Sequence, residues 1–279
     1  MKQNKFDVQS IEQMAIKMRK HAIKMAYSAG NNGAHLGPGL SIVELMATLY
    51  GAVMKFDVKN PMDADRDRFI LSKGHGTLGY YTALAEVGYF SQEELYTFEE
   101  NEGFLPGQPV MNVEKGIECS SGSLGLGLSF GIGIALAGKK QNKLFKTYVL
   151  MGDGECNEGT VWEAAMSATH FKLDNLVAII DYNKMQSDGS SFEILDMGSF
   201  VNKWQSFGWK VIEVDGHDIQ AILDAFQIIH SQQPLVIIAH TVKGKGISFM
   251  EHNIEWHHGQ LTTTLYEQAM KELGGESNG

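Results

Sequence analysis

Cysteine is scarce in this chain: Cys119 and Cys156 are the only two among 279 residues. Two thiols rule out a disulfide framework and fit a reducing compartment, so a cytoplasmic protein is expected. The opening MKQNKFDVQS lacks the apolar core of a secretory signal. No stretch approaches the roughly 20 apolar residues that a membrane span needs. Basic residues are in deficit, 23 against 33 acidic, which leaves a net charge of −10 and a pI near 5.5. That balance speaks against a nucleic acid or an anionic membrane as partner. Internal repeats, low-complexity tracts and long Pro/Ser linkers are missing as well. A single domain over residues 1–279 is the simplest expectation.

What is present is ordinary for a soluble globular protein: 43% hydrophobic and 20% charged residues. Ser10-Ile-Glu-Gln13 has the form of a capping box, and Ile11, Met14, Met18, Ala22 and Met25 follow at helical spacing toward a stop at Gly30. Methionines in such a stripe read as core, not as a ligand set. Ser41 to Glu44 and Ser91 to Glu94 open further helices in the same way. Four short β-rich runs occupy 148–151, 177–180, 209–214 and 235–239, with helical stretches between them, notably 158–172 and 218–231. Continuous apolar strands alternating with helices predict an α/β fold, doubly wound, with a mainly parallel sheet covered on both faces.

Two of these runs end on oxygen-bearing side chains. TYVLM stops at Gly152-Asp153-Gly154, and LVAII stops at Asp181-Tyr-Asn183. In open parallel sheets ligands sit beyond the carboxyl ends of the strands, so Asp153 and Asn183 are expected on one edge. A carboxylate and an amide carbonyl suit a hard divalent cation, above all magnesium with phosphates supplying other ligands. Gly152 and Gly154 let backbone amides approach a phosphate, and the helix after Glu158 offers a positive N-terminus. Gly-Asp-Gly alone is also a common turn. Its pairing with an Asn at the end of the next strand favours the ligand reading.

The pair resembles the thiamine diphosphate motif, in which GDG is followed by a spacer of just under thirty residues and then Asn. Further stretches resemble the transketolase family in particular. DRDRFILSKGHG (65–76) is similar to its Ser-x-Gly-His-Gly segment, and GAHLGPGLSIVEL (33–45) to its early Gly-His segment. SSGSLGLGL (120–128) resembles its Gly-x-Leu-Gly-x-Gly turn and EWHHG (255–259) its late histidine. Reading GLGLSFG as a dinucleotide loop fails, because no clear strand precedes it and no acidic partner follows at the right distance. The chain resembles the N-terminal, diphosphate-binding half of a transketolase, or the corresponding polypeptide of a split one.

The resemblance implies thiamine diphosphate and Mg²⁺ as cofactors, with Ca²⁺ or Mn²⁺ as substitutes. It implies Asp153, Asn183 and the backbone carbonyl of Met185 as metal ligands. His35, His75, Gln108 and His257 are the implied catalytic residues. Cofactor contacts fall on His75, Gly122, Leu124, Gly152, Asp153, Gly154, Glu158, Glu163, Asn183, Lys243 and His257. A neutral or protonated imidazole near pH 7 suits the proton movements assigned to His35 and His75. Glu158 and Glu163 match carboxylates near an interface between subunits, although acids at a helix N-terminus explain Glu158 as well. Lys243 reaches the diphosphate or is a solvated turn lysine. His257 is favoured over His258.

Two departures from the family pattern stand out. Gln108 in PGQP replaces a histidine that contacts donor hydroxyls, and a glutamine hydrogen-bonds without titrating near neutral pH. Lys184 and Gln186 replace small or aliphatic residues. Both put the usual pentose and hexose phosphates in doubt as substrates. The glutamate that activates the cofactor pyrimidine belongs, in this family, to a pyrimidine-binding domain. That domain and the C-terminal one are expected on a separate chain, in an α₂β₂ heterotetramer, a cloned or proteolytic fragment being the alternative. The activity implied is transfer of a two-carbon ketol unit from a ketose to an aldose. Rival readings are a deoxyxylulose-phosphate synthase-like enzyme, the α subunit of a 2-oxo-acid dehydrogenase, and a non-catalytic cofactor-binding subunit.

Overall fold

The computed structural model describes residues 6–274, and the outermost residues of the single domain expected over 1–279 lie outside them. Five strands form one sheet: β1 (Arg68–Leu71), β2 (Thr147–Gly152), β3 (Leu176–Tyr182), β4 (Lys210–Asp215) and β5 (Leu235–His240). All neighbours pair in parallel, in the order β1-β2-β3-β5-β4. The expected doubly wound α/β sheet is what the chain forms. Strands β2 to β5 coincide with the four β-rich runs. β1, the tetrapeptide RFIL, escapes a reading by pattern because it is short and follows the charged DRDR.

Ten α-helices accompany the sheet among the described residues. In chain order they are α1 (Val8–Ser28), α2 (Leu36–Leu40), α3 (Val43–Thr48), α4 (Thr77–Glu86), α5 (Leu126–Lys140), α6 (Gly159–His170), α7 (Ser191–Leu195), α8 (Phe200–Ser206), α9 (Ile219–Phe226) and α10 (Thr263–Glu272). Successive strand side chains point to opposite faces. Phe69, Tyr148, Leu150, Val177, Ile179 and Ile237 enter a core with α1, α3, α4 and α9. Ile70, Val149, Met151, Ala178, Ile180 and Val236 enter the second core with α5, α6 and α8. α5 packs close enough that a Cβ on Gly131 would collide with Val149. No helix among the described residues is long and apolar enough to cross a membrane.

The β3-to-β4 connection runs through α8 on one face. The β4-to-β5 connection returns through α9 on the other, placing β5 between β3 and β4. Parallel crossovers keep one hand, so a reversal of direction sends the helix to the opposite face. The ends of β2, β3 and β5 thereby open onto one edge.

Three helix starts behave differently from the serine-led pattern. α1 is capped by Asp7, whose Oδ1 accepts from Ser10 N at 2.9 Å, so Ser10 lies inside the helix instead of capping it. Asp is as good a cap as Ser, and it stands three residues earlier. Ser41 caps nothing: α3 starts at Val43, and the buried Ser41 hydroxyl donates to Pro38 O at 3.0 Å and to Asp181 Oδ2 at 2.7 Å. Ser91 and Glu94 do exchange the expected bonds, at 2.7 and 3.3 Å, but they close only a 3₁₀ turn at Glu93–Thr97.

Candidate active site

The last residues of β3 build the deepest layer. Asp181 is fully buried and accepts from Ser41 Oγ at 2.7 Å, from Asn183 Nδ2 at 2.9 Å, and from Lys73 Nζ and Thr241 Oγ1 in short contacts. Burial pushes its carboxyl up, but the Lys73 charge and the bonds from Lys73, Thr241 and Ser41 outweigh it and hold the group below the usual carboxylate range. Lys73, equally buried, also donates to Pro38 O at 3.0 Å. An ionised Asp181 only accepts, so Asn183 must offer it the NH₂ group. The Asn183 carbonyl oxygen is then turned away, where it accepts from Met185 N at 3.0 Å.

Asp153 follows β2 and is buried beside this layer. Its Oδ2 accepts from Lys184 N and from Ser191 Oγ, both at 2.9 Å. Burial and then the charge of Asp181 push its carboxyl up to about 6. Asp153, Asn183 and Met185 line one cleft of about 290 Å³, with Lys243 and His257 on its rim. Lys243 Nζ donates to Met185 O at 3.3 Å, Gln186 O at 2.9 Å and His257 Nδ1 at 2.8 Å. Burial and the nearby Lys73 charge push its ammonium down to about 8. Lys243 is 1% exposed, so the solvated-turn alternative is set aside.

Three imidazoles face one another above this layer. The His35–His75, His35–His257 and His75–His257 ring centroids lie 5.5, 5.5 and 5.3 Å apart. An ammonium has no lone pair, so His257 Nδ1 accepts from Lys243 and the ring proton sits on Nε2. Burial, followed by the charges of neighbouring lysines and histidines, pushes His35 down to about 4 and His257 down to about 3. The same causes take His75 well below its ordinary range. The sequence alone allows either charge state near pH 7; burial and the neighbouring lysine charges favour the neutral form of all three rings, which suits them to hydrogen bonding. His257 lines the cleft, whereas His258 packs edge-on against His35 at 4.6 Å.

The Gly122–Leu124 turn borders the cleft and is held by Glu155, a residue that no motif singles out. Buried Glu155 accepts from Gly125 N at 2.9 Å, Gly152 N at 3.1 Å and, in a short contact, Ser72 Oγ. Gln108 packs against the same turn, where a Cβ on Gly122 would come within 3.3 Å of Gln108 Oε1. Its Oε1 and the nearby Ser121 Oγ are buried without a hydrogen-bond partner among the described residues. Gly74 must lack a side chain here, since a Cβ would come within 2.8 Å of Gly122 N and crowd Gln108 Oε1. Glu158 occupies the N-cap position of α6 at the cleft margin, without a side-chain capping bond. Glu163 is not brought into the cleft: it lies farther along α6 and is exposed, as is Met166 three residues on. A helix that carries Glu158 at its start turns a residue five positions later away from that start.

Sequence reasoning misses Lys73, Glu155, Asp181, Ser191 and Thr241. The signal is present for two of them. A carboxylate closing the run LVAII and a lysine closing FILS are charges at buried strand ends, which exist only when paired.

The donor set fits a thiamine diphosphate–magnesium pair. Among the described residues no three His, Cys, Asp or Glu side chains cluster to hold a metal by themselves. One buried carboxylate, one amide carbonyl and one backbone carbonyl around an open cleft is the sparse oxygen set that magnesium accepts when phosphates complete the shell.

A parallel sheet with oxygen donors at two strand ends and a lysine–imidazole rim defines an α/β ligand-binding domain that works at the carboxyl edge of its strands. The chain belongs to the transketolase family: residues 11–278 match the domain described as "Transketolase, thiamine diphosphate binding domain". It is 41% identical over 268 residues to a subunit of the apulose-4-phosphate transketolase of Phocaeicola vulgatus, covering 95% of this chain and 94% of that one. A 6-deoxy-6-sulfo-D-fructose transketolase subunit of a Clostridium species is 43% identical over 87% of this chain and 89% of its own length. Human transketolase is 37% identical over 95% of this chain but only 42% of its own. The transketolase structure from Campylobacter jejuni superposes with a TM-score of 0.90 at 28% identity, covering 98% of this chain and 44% of that one. The chain thus spans less than half of the full-length transketolases it resembles.

Proposed function

We propose that this chain is the thiamine diphosphate-binding subunit of a two-part transketolase that moves a two-carbon ketol unit from a ketose to an aldose. The observation that carries the reading is the oxygen set of Asp153, Asn183 and Met185 on the same cleft as three neutral imidazoles. The relatives matched over nearly their whole length are named transketolase subunits, which supports it. When bound, thiamine diphosphate supplies the electron sink for breaking the bond beside the ketose carbonyl. The chain's own residues then have distinct tasks. Asp153, Asn183 and the Met185 carbonyl hold Mg²⁺, with Ca²⁺ or Mn²⁺ able to replace it. Lys243, His257 and the amide of Gly154 take the diphosphate; Gly152, whose own amide is held by Glu155, leaves room beside it for the close approach. Gly122 and Leu124 offer backbone contacts to the cofactor ring. His35 and His75 hold sugar hydroxyls and pass protons between them, their neutral rings each offering one donor and one acceptor.

The pyrimidine-binding and C-terminal domains belong to a partner chain, in a cytoplasmic α₂β₂ assembly. Glu158, at the cleft margin, and Glu163, exposed farther along α6, both approach another protomer there. Reconstitution tests the reading. The purified chain alone is expected to bind the cofactor weakly and to show no ketol transfer, and activity should appear on mixing with the partner. Full activity from the lone chain would sink the two-part arrangement.

Gln108 narrows the substrate. Its buried, unpartnered Oε1 and the Oγ of Ser121 need a donor from the sugar, and a buried acceptor left unpaired costs about 1–3 kcal/mol. Because this glutamine stands where the family pattern carries a histidine, the proposed substrate is a modified or branched sugar or sugar phosphate. In the reconstituted enzyme, Gln108→His should lower kcat/KM for that substrate on the order of tenfold or more. It should also raise turnover of xylulose 5-phosphate with ribose 5-phosphate. The panel to run includes apulose 4-phosphate and 6-deoxy-6-sulfo-D-fructose, for which the relatives are named. An unchanged preference profile, with the ordinary pair turned over best by the wild type, would reduce Gln108 to a tolerated replacement.

A further inference from the structure

A buried chain of charges lies one layer behind the cleft. Arg19 of α1 contacts both oxygens of Glu44 of α3 through Nη2, at 2.7 and 3.0 Å. Glu44 Oε2 also meets His217 Nδ1 at 2.9 Å, in the turn between β4 and α9. The other nitrogen, His217 Nε2, receives the Val242 backbone N–H at 2.9 Å. A backbone amide can only donate, so Nε2 carries no proton and Nδ1–H donates to Glu44. At the far end, Arg19 Nε donates to the carbonyl of Lys245 at 2.9 Å.

The two ends of this chain grip the loop after β5 at Val242 and at Lys245. Between them stands Lys243, whose ammonium reaches into the cleft to Met185 O, Gln186 O and His257. Gly246 allows the close approach, since a Cβ there would come within 2.6 Å of Arg19 Cδ. Nothing in the fold requires an arginine, a glutamate and a histidine from three separate elements to converge here. A hydrophobic contact would pack the same helices without the desolvation cost of two ionised groups, Arg19 and Glu44. What the charges add is direction: each fixes one backbone group of one loop.

We propose that Arg19, Glu44 and His217 are positioning residues that hold the Val242–Lys245 backbone so that the Lys243 ammonium stays aimed at the diphosphate. The inference rests on the assignment of Lys243 to the diphosphate. Partners behind a ligating group typically contribute a factor of about 10–100 in affinity.

The test is a double-mutant cycle on the chain reconstituted with its partner, with magnesium-dependent thiamine diphosphate binding read by calorimetry and the melting temperature recorded for each variant. His217→Ala should weaken binding about tenfold, and Lys243→Ala should weaken it further. The double variant should bind no more weakly than Lys243→Ala, because the brace has nothing left to aim. His217→Gln, whose carbonyl can still accept from Val242 N, should recover most of the loss. A merely structural histidine would give equal losses in both backgrounds and no rescue, which overturns the proposal. So does wild-type affinity in His217→Ala while Lys243→Ala is weakened. Wild-type affinity in Lys243→Ala instead removes the diphosphate assignment itself, and the brace falls with it. Should His217→Ala not yield folded protein, Glu44→Gln keeps the shape without the charge and enters the same cycle with the same outcomes.

Discussion

Asp153→Ala and Asn183→Ala are each expected to weaken magnesium-dependent thiamine diphosphate binding by a factor on the order of 100 or more, with the fold intact. Loss of an outer partner behind a metal ligand already costs about 10–100-fold, and these residues are proposed as the ligands themselves. The cofactor-free chain should not melt earlier in the Asp153 variant. Burial and Asp181 push that carboxyl up to about 6, so its ionised form is disfavoured in the empty cleft. Removing it takes away a cost together with two hydrogen bonds from Lys184 N and Ser191 Oγ. Calorimetry with and without a chelator checks both halves. Wild-type binding should collapse when magnesium is withdrawn, and the variants should respond little. Unchanged affinity in both variants would place the metal elsewhere.

Asp181→Ala is expected to strike the fold instead. The substitution leaves Lys73 buried at 1% exposure without its counter-charge, and it strips partners from Ser41, Thr241 and Asn183. Breaking a buried ion pair from one side costs about 3–5 kcal/mol. For a domain of this size that corresponds to a fall in melting temperature on the order of 10 °C. Replacing both members, Lys73→Met with Asp181→Leu, should recover part of the loss, because an apolar pair carries no desolvation cost. The recovered protein should still bind cofactor poorly, since the Asn183 NH₂ group then loses the carboxylate that fixes its orientation. A thermal melt of Asp181→Ala within a degree or two of wild type would mean that the hub does not hold the strand ends together.

The two experiments separate two jobs at neighbouring positions. Asp153 and Asn183 are legible from the sequence as a pair: Gly-Asp-Gly alone reads as a turn, and an Asn closing the next apolar run turns the reading toward ligands. Asp181 sits inside the same tripeptide as Asn183 and reads locally as part of a turn. Its burial depends on α2, the β1 end and the β5 end arriving at one place, from Ser41, Lys73 and Thr241. Those positions are separated by 140, 108 and 60 residues from it. Local spacing carries no trace of such a meeting.

The cap at Ser10 shows the same limit on a smaller scale. Asp7 and Ser10 are both good caps, and the winner is set by where the apolar stripe of α1 must meet α3 and α4. The charge state of the histidines is another case. Residue type alone leaves His35, His75 and His257 free to be neutral or protonated. Burial beside Lys73 and Lys243 takes all three down.

The sequence by itself determined the class of fold, four of the five strands, the strand-end donors and the family. The fold class, the strands and the strand-end oxygens follow from short-range patterns of apolar runs, glycine turns and oxygen side chains placed directly after a strand, and the family follows from the resemblance of the motifs. Only the tertiary structure decided that His257 and not His258 lines the cleft, that Glu163 stays outside it, and that Asp181, Glu155 and His217 stand behind the residues the motifs reveal. The physical reason is burial. A buried charge is tolerable only where distant chain segments bring it partners, and that convergence is settled when the two faces of the sheet pack, not when the residues are written in order.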